Sequence, residues 1–377
     1  MVILRWYKAA LSEGANMSKG ISALAAAILI SITAHAETVT EKVDANGILQ
    51  VPAFQQPVPE RMSPEAKAAL LEMLRPKPPA PATAQPDGPP DVVKGREQIR
   101  ARYVPIVKKL QEQFGVDLKE ETIGGIHAVV VTPKDGIAPR NRHRVLIGLH
   151  GGAFVAGDAI NFGMMDVIPV AAKLKIKVVA LDYRMGPEHH FPAASEDVAA
   201  AYKALLKTYP AQGIGMYGCS AGGLLAAQAT AWFQKEKLPR PGAIGILCAG
   251  ADAKWAGDSL FFVPGLLGNT PPDPRKPPHY DEAPYYGTAD LNSPLMSPIV
   301  SPEVLKAFPP TLLITGTRSD EMSAAVNTQR ELVKAGVEAD LHVWDGMWHA
   351  FVGRSDIPEG REAQDVIAKF FDKHLKP

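Results

Sequence analysis

The chain has 377 residues, of which 46% are hydrophobic and 21% charged, with 40 basic and 40 acidic side chains. That length and apolar content suit one large α/β domain or two small ones. The balanced charge argues against nucleic acid or a charged membrane surface as a partner.

Two cysteines, Cys219 and Cys248, are too few for a disulfide framework. Both lie in apolar strand-like runs, where buried free thiols are common.

In chain order, the first feature is an address. Lys19 precedes the 13-residue apolar run ISALAAAILISIT, and Ala34-His35-Ala36 follows as a small-residue cleavage site. This pattern reads as a secretory signal peptide over 1–36, cleaved after Ala36, which places the mature chain in the periplasm or outside the cell. The apolar run is shorter than the roughly 20 residues a spanning helix needs, so no stable membrane span is expected. Met17 is a more typical start than Met1, because it leaves a short basic leader.

Residues 37–94 form a polar, proline-rich region. Within it, SPEAKAALLEMLR opens with an N-cap serine, Ser63, and Pro64 at the first helical position. Residues 76–90 hold seven prolines and read as a linker or extended loop. A second helix is predicted over KGREQIRARYVPIVKKLQEQF, kinked or broken at Pro105.

From residue 122 the texture changes. The runs IHAVVVT, VLIGLH, KVVALDY, IGMYGC, AIGILCA, TLLIT and DLHVW alternate with helical patterns at 195–208, 220–236, 322–335 and 359–374. Buried strands separated by helices predict an α/β fold with a mostly parallel, doubly wound sheet, occupying 95–377. The stretch 251–300 is rich in Pro, Gly and aromatics and reads as an insertion over the C-terminal edge of the sheet, where ligands bind in such folds. GIGMYG at 213–218 fits a dinucleotide fingerprint, but its glycines fall inside a strand, so no nucleotide cofactor is expected.

That strand runs into GCSAGG. Gly218, Ser220 and Gly222 match G-x-S-x-G, in which small residues let a strand turn sharply into a helix and lift the serine hydroxyl above the sheet. The helix start leaves the Ala221 amide free to stabilise an oxyanion. HGGAFVAGD, from His150, follows the strand VLIGL. Its glycines allow close backbone approach, which makes Gly151 and Gly152 candidate oxyanion donors, with His150 orienting the loop.

HGGAFVAGD, DYRMGPEHHFPAASEDVAAAYKAL and GCSAGG together resemble the hormone-sensitive-lipase-like branch of the α/β-hydrolase family, with SPLMSPIV and GMWHAF in agreement, over roughly residues 95–375. The resemblance implies an α/β-hydrolase fold with a helical cap, formed by N-terminal helices and the 251–300 insertion. It also implies a serine hydrolase acting on carboxylic esters of small to medium acyl length, aryl esters or lactones. Cys219 departs from the residues usual before the nucleophile.

The resemblance places the catalytic histidine at His349, which follows DLHVW by a short loop. The chain order serine, acid, histidine agrees. His189 and His190 read as packing or pocket groups. Family members often carry the triad acid at the position of Ser319, which cannot hold a charge. The acid therefore falls to Asp320 or Glu321; the reading leans to Glu321, because relatives can carry an acid two steps past that point, and its neighbour is expected to cap the following helix. Asp182, Arg184 and Glu188 read as an internal ion-pair network. Trp255, Phe261, Phe262, Tyr280, Tyr285 and Tyr286 are pocket candidates. No cofactor is required, and no HExxH or CxxC spacing supports a metal. Two other readings stay open: a non-catalytic small-molecule-binding module on the same fold, and an amide or peptide hydrolase. Oligomeric state stays open as well.

Overall fold

The computed structural model describes residues 43–52, 54–75, 92–276 and 284–377. The expected leader, the seven-proline stretch and Tyr280 lie outside the described residues. Residues up to Gln56 form one unit and Pro57–Pro377 another. In the smaller unit, Val43 bridges Leu49 across a turn whose Asp44 carboxylate accepts the amides of Asn46 and Ile48.

The larger unit is built on eight strands: β1 (Val116–Ile123), β2 (Ile126–Pro133), β3 (Val145–Leu149), β4 (Lys177–Leu181), β5 (Ile214–Cys219), β6 (Ala243–Leu247), β7 (Thr311–Arg318) and β8 (Ala339–Trp348). Their order is β1-β2-β4-β3-β5-β6-β7-β8. β1 and β2 join antiparallel, β2 meets β4 antiparallel, and every later pairing is parallel. The central strands β3 and β6 are buried throughout, so they read as unbroken apolar runs.

Alternate residues feed two layers. Val145, Ile147 and Leu149 of β3, with Val179 and Leu181 of β4, pack under α4 (Ala193–Leu205), α5 (Ala221–Lys235) and α8 (Met322–Lys334). Leu146 of β3, Val178 and Ala180 of β4, and Tyr217 of β5 pack under α1 (Pro64–Met73), α2 (Val92–Phe114), α3 (Met164–Leu174) and α9 (Pro358–His374). Two short helices, α6 (Ser259–Leu266) and α7 (Pro302–Lys306), lie between β6 and β7.

The Ser63 cap forms as expected: its hydroxyl accepts the Ala66 amide. The Glu359 carboxylate then accepts from both the amide and hydroxyl of Ser63, at 2.6 and 2.8 Å. This ties α1 to the start of α9, so the compact unit begins at Pro57 rather than near 95, and the expected boundary at 94/95 falls inside α2. Pro105 does not break α2. It sits on the exposed face, where water can serve the carbonyl it leaves unpaired.

Two elements escaped the sequence reading. β1, VDLKEETI, is an edge strand that buries little beyond Val116, so its charged residues hid the pattern. α3, MMDVIPVAAKL, is buried on nearly all sides and carries Pro169 inside, so it shows no amphipathic stripe. β8 also runs further than DLHVW, reaching Trp348, with a register shift opposite Gly316 and Arg318. His349 therefore leaves the strand end directly, not after a short loop.

Candidate active site

Ser220 stands between β5 and α5 with φ 61° and ψ −125°. A non-glycine residue held there costs about 1–3 kcal/mol, and it persists because its neighbours over-determine it. The Ser220 amide donates to the Leu247 carbonyl at 2.8 Å, and the Ser220 carbonyl accepts from Gly223 and Leu224. Its side chain makes no capping bond to α5. A Cβ on Gly222 would lie 2.0 Å from the Leu149 carbonyl oxygen, and one on Gly218 would lie 2.3 Å from it. Backbone cannot give way there. Gly222→Ala should therefore cost about 3 kcal/mol or more, read as a lowered urea midpoint at unchanged m-value.

The HGG loop packs against this elbow. A Cβ on Gly151 would meet the Cys219 carbonyl at 3.0 Å and the Ser220 Cβ at 3.2 Å, so the loop backbone lies directly beside the serine. Gly152 has φ 113°, and the amides of Val155 and Ala156 both donate to its carbonyl. The amides of Gly151, Gly152 and Ala221 have no acceptor among the described residues. His150 is buried beneath the loop. Its Nδ1 donates to the Gly151 carbonyl at 2.7 Å and its ring stacks on Tyr183 at 4.2 Å, while the Tyr183 hydroxyl donates to the His150 carbonyl at 2.6 Å. Burial pushes its pKa down, which fits a neutral ring carrying its proton on Nδ1.

His349 completes the cluster. Its Nε2 lies 2.9 Å from Ser220 Oγ and its Nδ1 lies 2.9 Å from Glu321 Oε2. Glu321 is fully buried, and its carboxylate also accepts from the Thr315 hydroxyl at 3.0 Å and from the Ser319 hydroxyl. Ser319, which cannot carry charge, thus serves as a donor to the acid two residues on. Asp320 makes no hydrogen bond to the ring. Its side chain is 41% exposed and its Oδ1 stands 4.0 Å from His349 Nδ1. Nor does it cap α8, contrary to expectation. Glu321 occupies the N-cap position without a capping bond, and the Ser323 amide is met at 2.8 Å by the hydroxyl of Ser259, which donates in turn to the Asp320 carbonyl. The cap comes from the 251–300 segment.

A family model described as the alpha/beta hydrolase fold matches residues 146–353. The chain belongs to the α/β-hydrolase family. Within it the kinship is to the hormone-sensitive-lipase-like branch. An acetyl-hydrolase of Streptomyces hygroscopicus is 30% identical over 258 residues, covering 66% of this chain and 80% of that one. An esterase of Acinetobacter venetianus is 25% identical over 233 residues, covering 60% and 74%. Among solved structures, esterase E25 superposes with a TM-score of 0.74 at 30% identity, over 87% of this chain and 99% of its own. A bacterial hormone-sensitive-lipase-family esterase gives 0.68 at 26%, over 83% and 99%.

The charges of this α/β-hydrolase site are arranged as an ion pair. Burial alone would raise the Glu321 pKa, but the facing His349 charge and hydrogen bond, with the Ser319 bond, hold it at about 2. Burial opposes the His349 imidazolium, yet the Glu321 charge and hydrogen bond outweigh it and lift His349 to about 9. A base must be unprotonated to take a proton. Activity should therefore fall as the pH drops through this raised value, kcat/KM losing about tenfold per unit below the limb. A pH–rate profile on a short ester checks this; an acidic limb at 6.5 or below would contradict it.

Among the described residues, donor atoms of Asp320, Glu321 and His349 lie within 4.8 Å of one another, a spacing a cation could use. Both nitrogens of His349 are engaged already, so a metal there would have to displace Ser220 or Glu321. Cys219 ends β5 and Cys248 follows β6; both are free thiols, and contact with Cys248 followed by burial pushes the Cys219 pKa up.

The acidic and basic residues of the DYR segment form three separate sets instead of one internal network. Asp182 bonds His127 and the Ala159 amide. Arg184 pairs with Asp197 and Glu196. Glu188 takes both terminal nitrogens of Arg96, which also bonds the carbonyls of Val155 and Gly186 and so fastens α2 to the HGG loop. Of the aromatic candidates, Trp255 lies 5.7 Å from the His349 ring. Tyr285 is core, stacked on Phe154 at 4.7 Å, and Phe262 is largely exposed. His190 bonds the Pro284 carbonyl. Missed altogether were Tyr103, Phe162 and Met165, which line a cavity beside Gly151 and Cys219. No motif marks them, since they come from α2, the turn before α3 and α3 itself.

Proposed function

We propose that the chain is an exported carboxylic ester hydrolase working through an acyl-enzyme. The observation that carries this reading is the unbroken chain from Ser220 Oγ through His349 to buried Glu321, at 2.9 Å on each side of the imidazole. His349 takes the Ser220 proton as Oγ attacks the ester carbonyl, and the unpaired amides of Gly151, Gly152 and Ala221 receive the oxyanion. Collapse expels the alcohol, which takes its proton from His349. Water then attacks the acyl-enzyme by the same route in reverse, and the acid leaves. Glu321 stays ionised throughout and holds the imidazole with Nε2 toward Ser220.

The relatives' names, acetyl-hydrolase and esterase, support small acyl groups as substrates. Export rests on the leader pattern at 1–36. The helices α1 and α2 and the 251–300 segment serve as the cap. The test is a panel of 4-nitrophenyl esters from acetyl to dodecanoyl, with a simple lactone and a matched anilide. Turnover concentrated at short and medium acyl lengths, absent with Ser220→Ala, is the expected result. Preference for the dodecanoyl ester over the short ones, or for the anilide over the ester, would overturn it.

A further inference from the structure

Against Cys219 and Gly151, next to the serine in the chain and in space, lies a cavity of about 80 Å³. Its wall includes Gly151, Cys219 and Ala350, one from the oxyanion loop and one from each side of the Ser220–His349 pair in sequence. A group bound there is a neighbour of the reacting carbonyl. Tyr103, Phe162, Met165 and Val352 make most of the remaining wall apolar. By volume it admits roughly three non-hydrogen atoms beyond the carbonyl. It shares Tyr103, Met165, Gly353 and Arg354 with a groove of about 770 Å³, which supplies an entry path.

One lining group does not belong in an apolar acyl slot. Asp166, in the first turn of α3, is only 7% exposed. Its carboxylate has no side-chain partner among the described residues, only its own amide. The helix start favours a negative charge but does not explain burying one. Burial lifts the group to about 7. A buried carboxyl met only by its own amide carries a desolvation cost that a bound hydrogen-bond donor would offset. Arg354 lines the same cavity but is already held by Asp356, and the space is small and mostly apolar, so the donor that fits is a small neutral one, a hydroxyl.

We propose that this cavity is a specificity subsite in which Asp166 accepts a hydrogen bond from a hydroxyl on a short arm of the substrate ester. The inference rests on the esterase reading above and names the substrate class more closely: hydroxylated short-chain esters. A chain with only methylenes fills the slot but brings Asp166 no further donor.

The experiment compares kcat/KM for two matched pairs. 4-Nitrophenyl 3-hydroxybutyrate against 4-nitrophenyl butyrate probes the acyl arm; 2-hydroxyethyl butyrate against ethyl butyrate probes the alcohol arm. The wild-type enzyme should prefer the hydroxylated member of one pair by about ten- to a hundredfold. That preference should grow as the pH rises through about 7, because the carboxylate is the stronger acceptor. Asp166→Leu should erase it while turning over the plain ester. Asp166→Asn, which keeps shape and an acceptor oxygen, should retain part of it without the pH dependence, so a variant that fails to fold does not remove the test. No preference in either pair, or one that survives both substitutions unchanged, overturns the proposal. Plain-ester turnover that disappears with Ser220→Ala upholds the esterase reading in either case.

Discussion

His349→Ala will lower kcat on a short chromogenic ester on the order of 10⁶-fold, and Ser220→Ala will lower it as far. The two side chains act as one device. Without the imidazole, Ser220 Oγ keeps its proton at neutral pH and attacks poorly; without the hydroxyl, the imidazole has no nucleophile to activate. The double variant should therefore be no slower than either single one. What remains comes from the unpaired amides of Gly151, Gly152 and Ala221 and from binding, about 10³–10⁴ over the uncatalysed rate. Ser220→Ala should lose little stability, since Ser220 makes its structural bonds through its backbone amide and carbonyl. His349→Ala leaves the buried Glu321 charge without its partner and should lower stability by about 3 kcal/mol while the chain stays folded. Circular dichroism and a thermal melt beside the kinetics separate lost chemistry from lost fold.

Glu321→Gln will lower kcat by about 10⁴, while Asp320→Asn stays within about fivefold of wild type. The contrast follows from where the two acids sit. Glu321 is buried with three donors on it, so its charge acts on His349 in a low-dielectric site. Asp320 is 41% exposed, at 4.0 Å, and lacks a hydrogen bond to the ring. An amide at 321 removes the charge that stabilises the imidazolium and lets the ring settle in the wrong tautomer. It should also move the acidic limb of the pH profile downward, since the Glu321 charge is what lifts His349. If Asp320→Asn collapses the rate and Glu321→Gln spares it, the two roles are exchanged.

Much of the arrangement was legible in the residues, and the exceptions have physical causes. GCSAGG and HGGAFVAGD show in sequence because the backbone at each needs residues without side-chain bulk; the 2.0 Å approach at Gly222 states that need in distance. The parallel strands show because they are buried on both faces. β1 does not, because an edge strand keeps its charges in water. The choice between Asp320 and Glu321 does not follow from spacing either. It depends on the bulge opposite Gly316–Arg318, which sets how the chain leaves β7, and on Thr315 and Ser319 converging on the longer side chain. The cap on α8 is equally hidden, since Ser259 reaches it from 61 to 64 residues away in sequence. Asp166 is invisible for the same reason: a lone acid in an apolar run gains meaning only from the cavity it lines.

The central claim, that Ser220 is the nucleophile of an ester hydrolase, is tested most directly by covalent labelling. The protein is titrated with a 4-nitrophenyl phosphonate ester, the released nitrophenolate is counted, and the labelled peptide is located by mass spectrometry. The expected result is one equivalent released per chain, the phosphonyl group on Ser220, and ester turnover lost in proportion to labelling. A label on another residue, or full ester turnover in chains already labelled at Ser220, would contradict it.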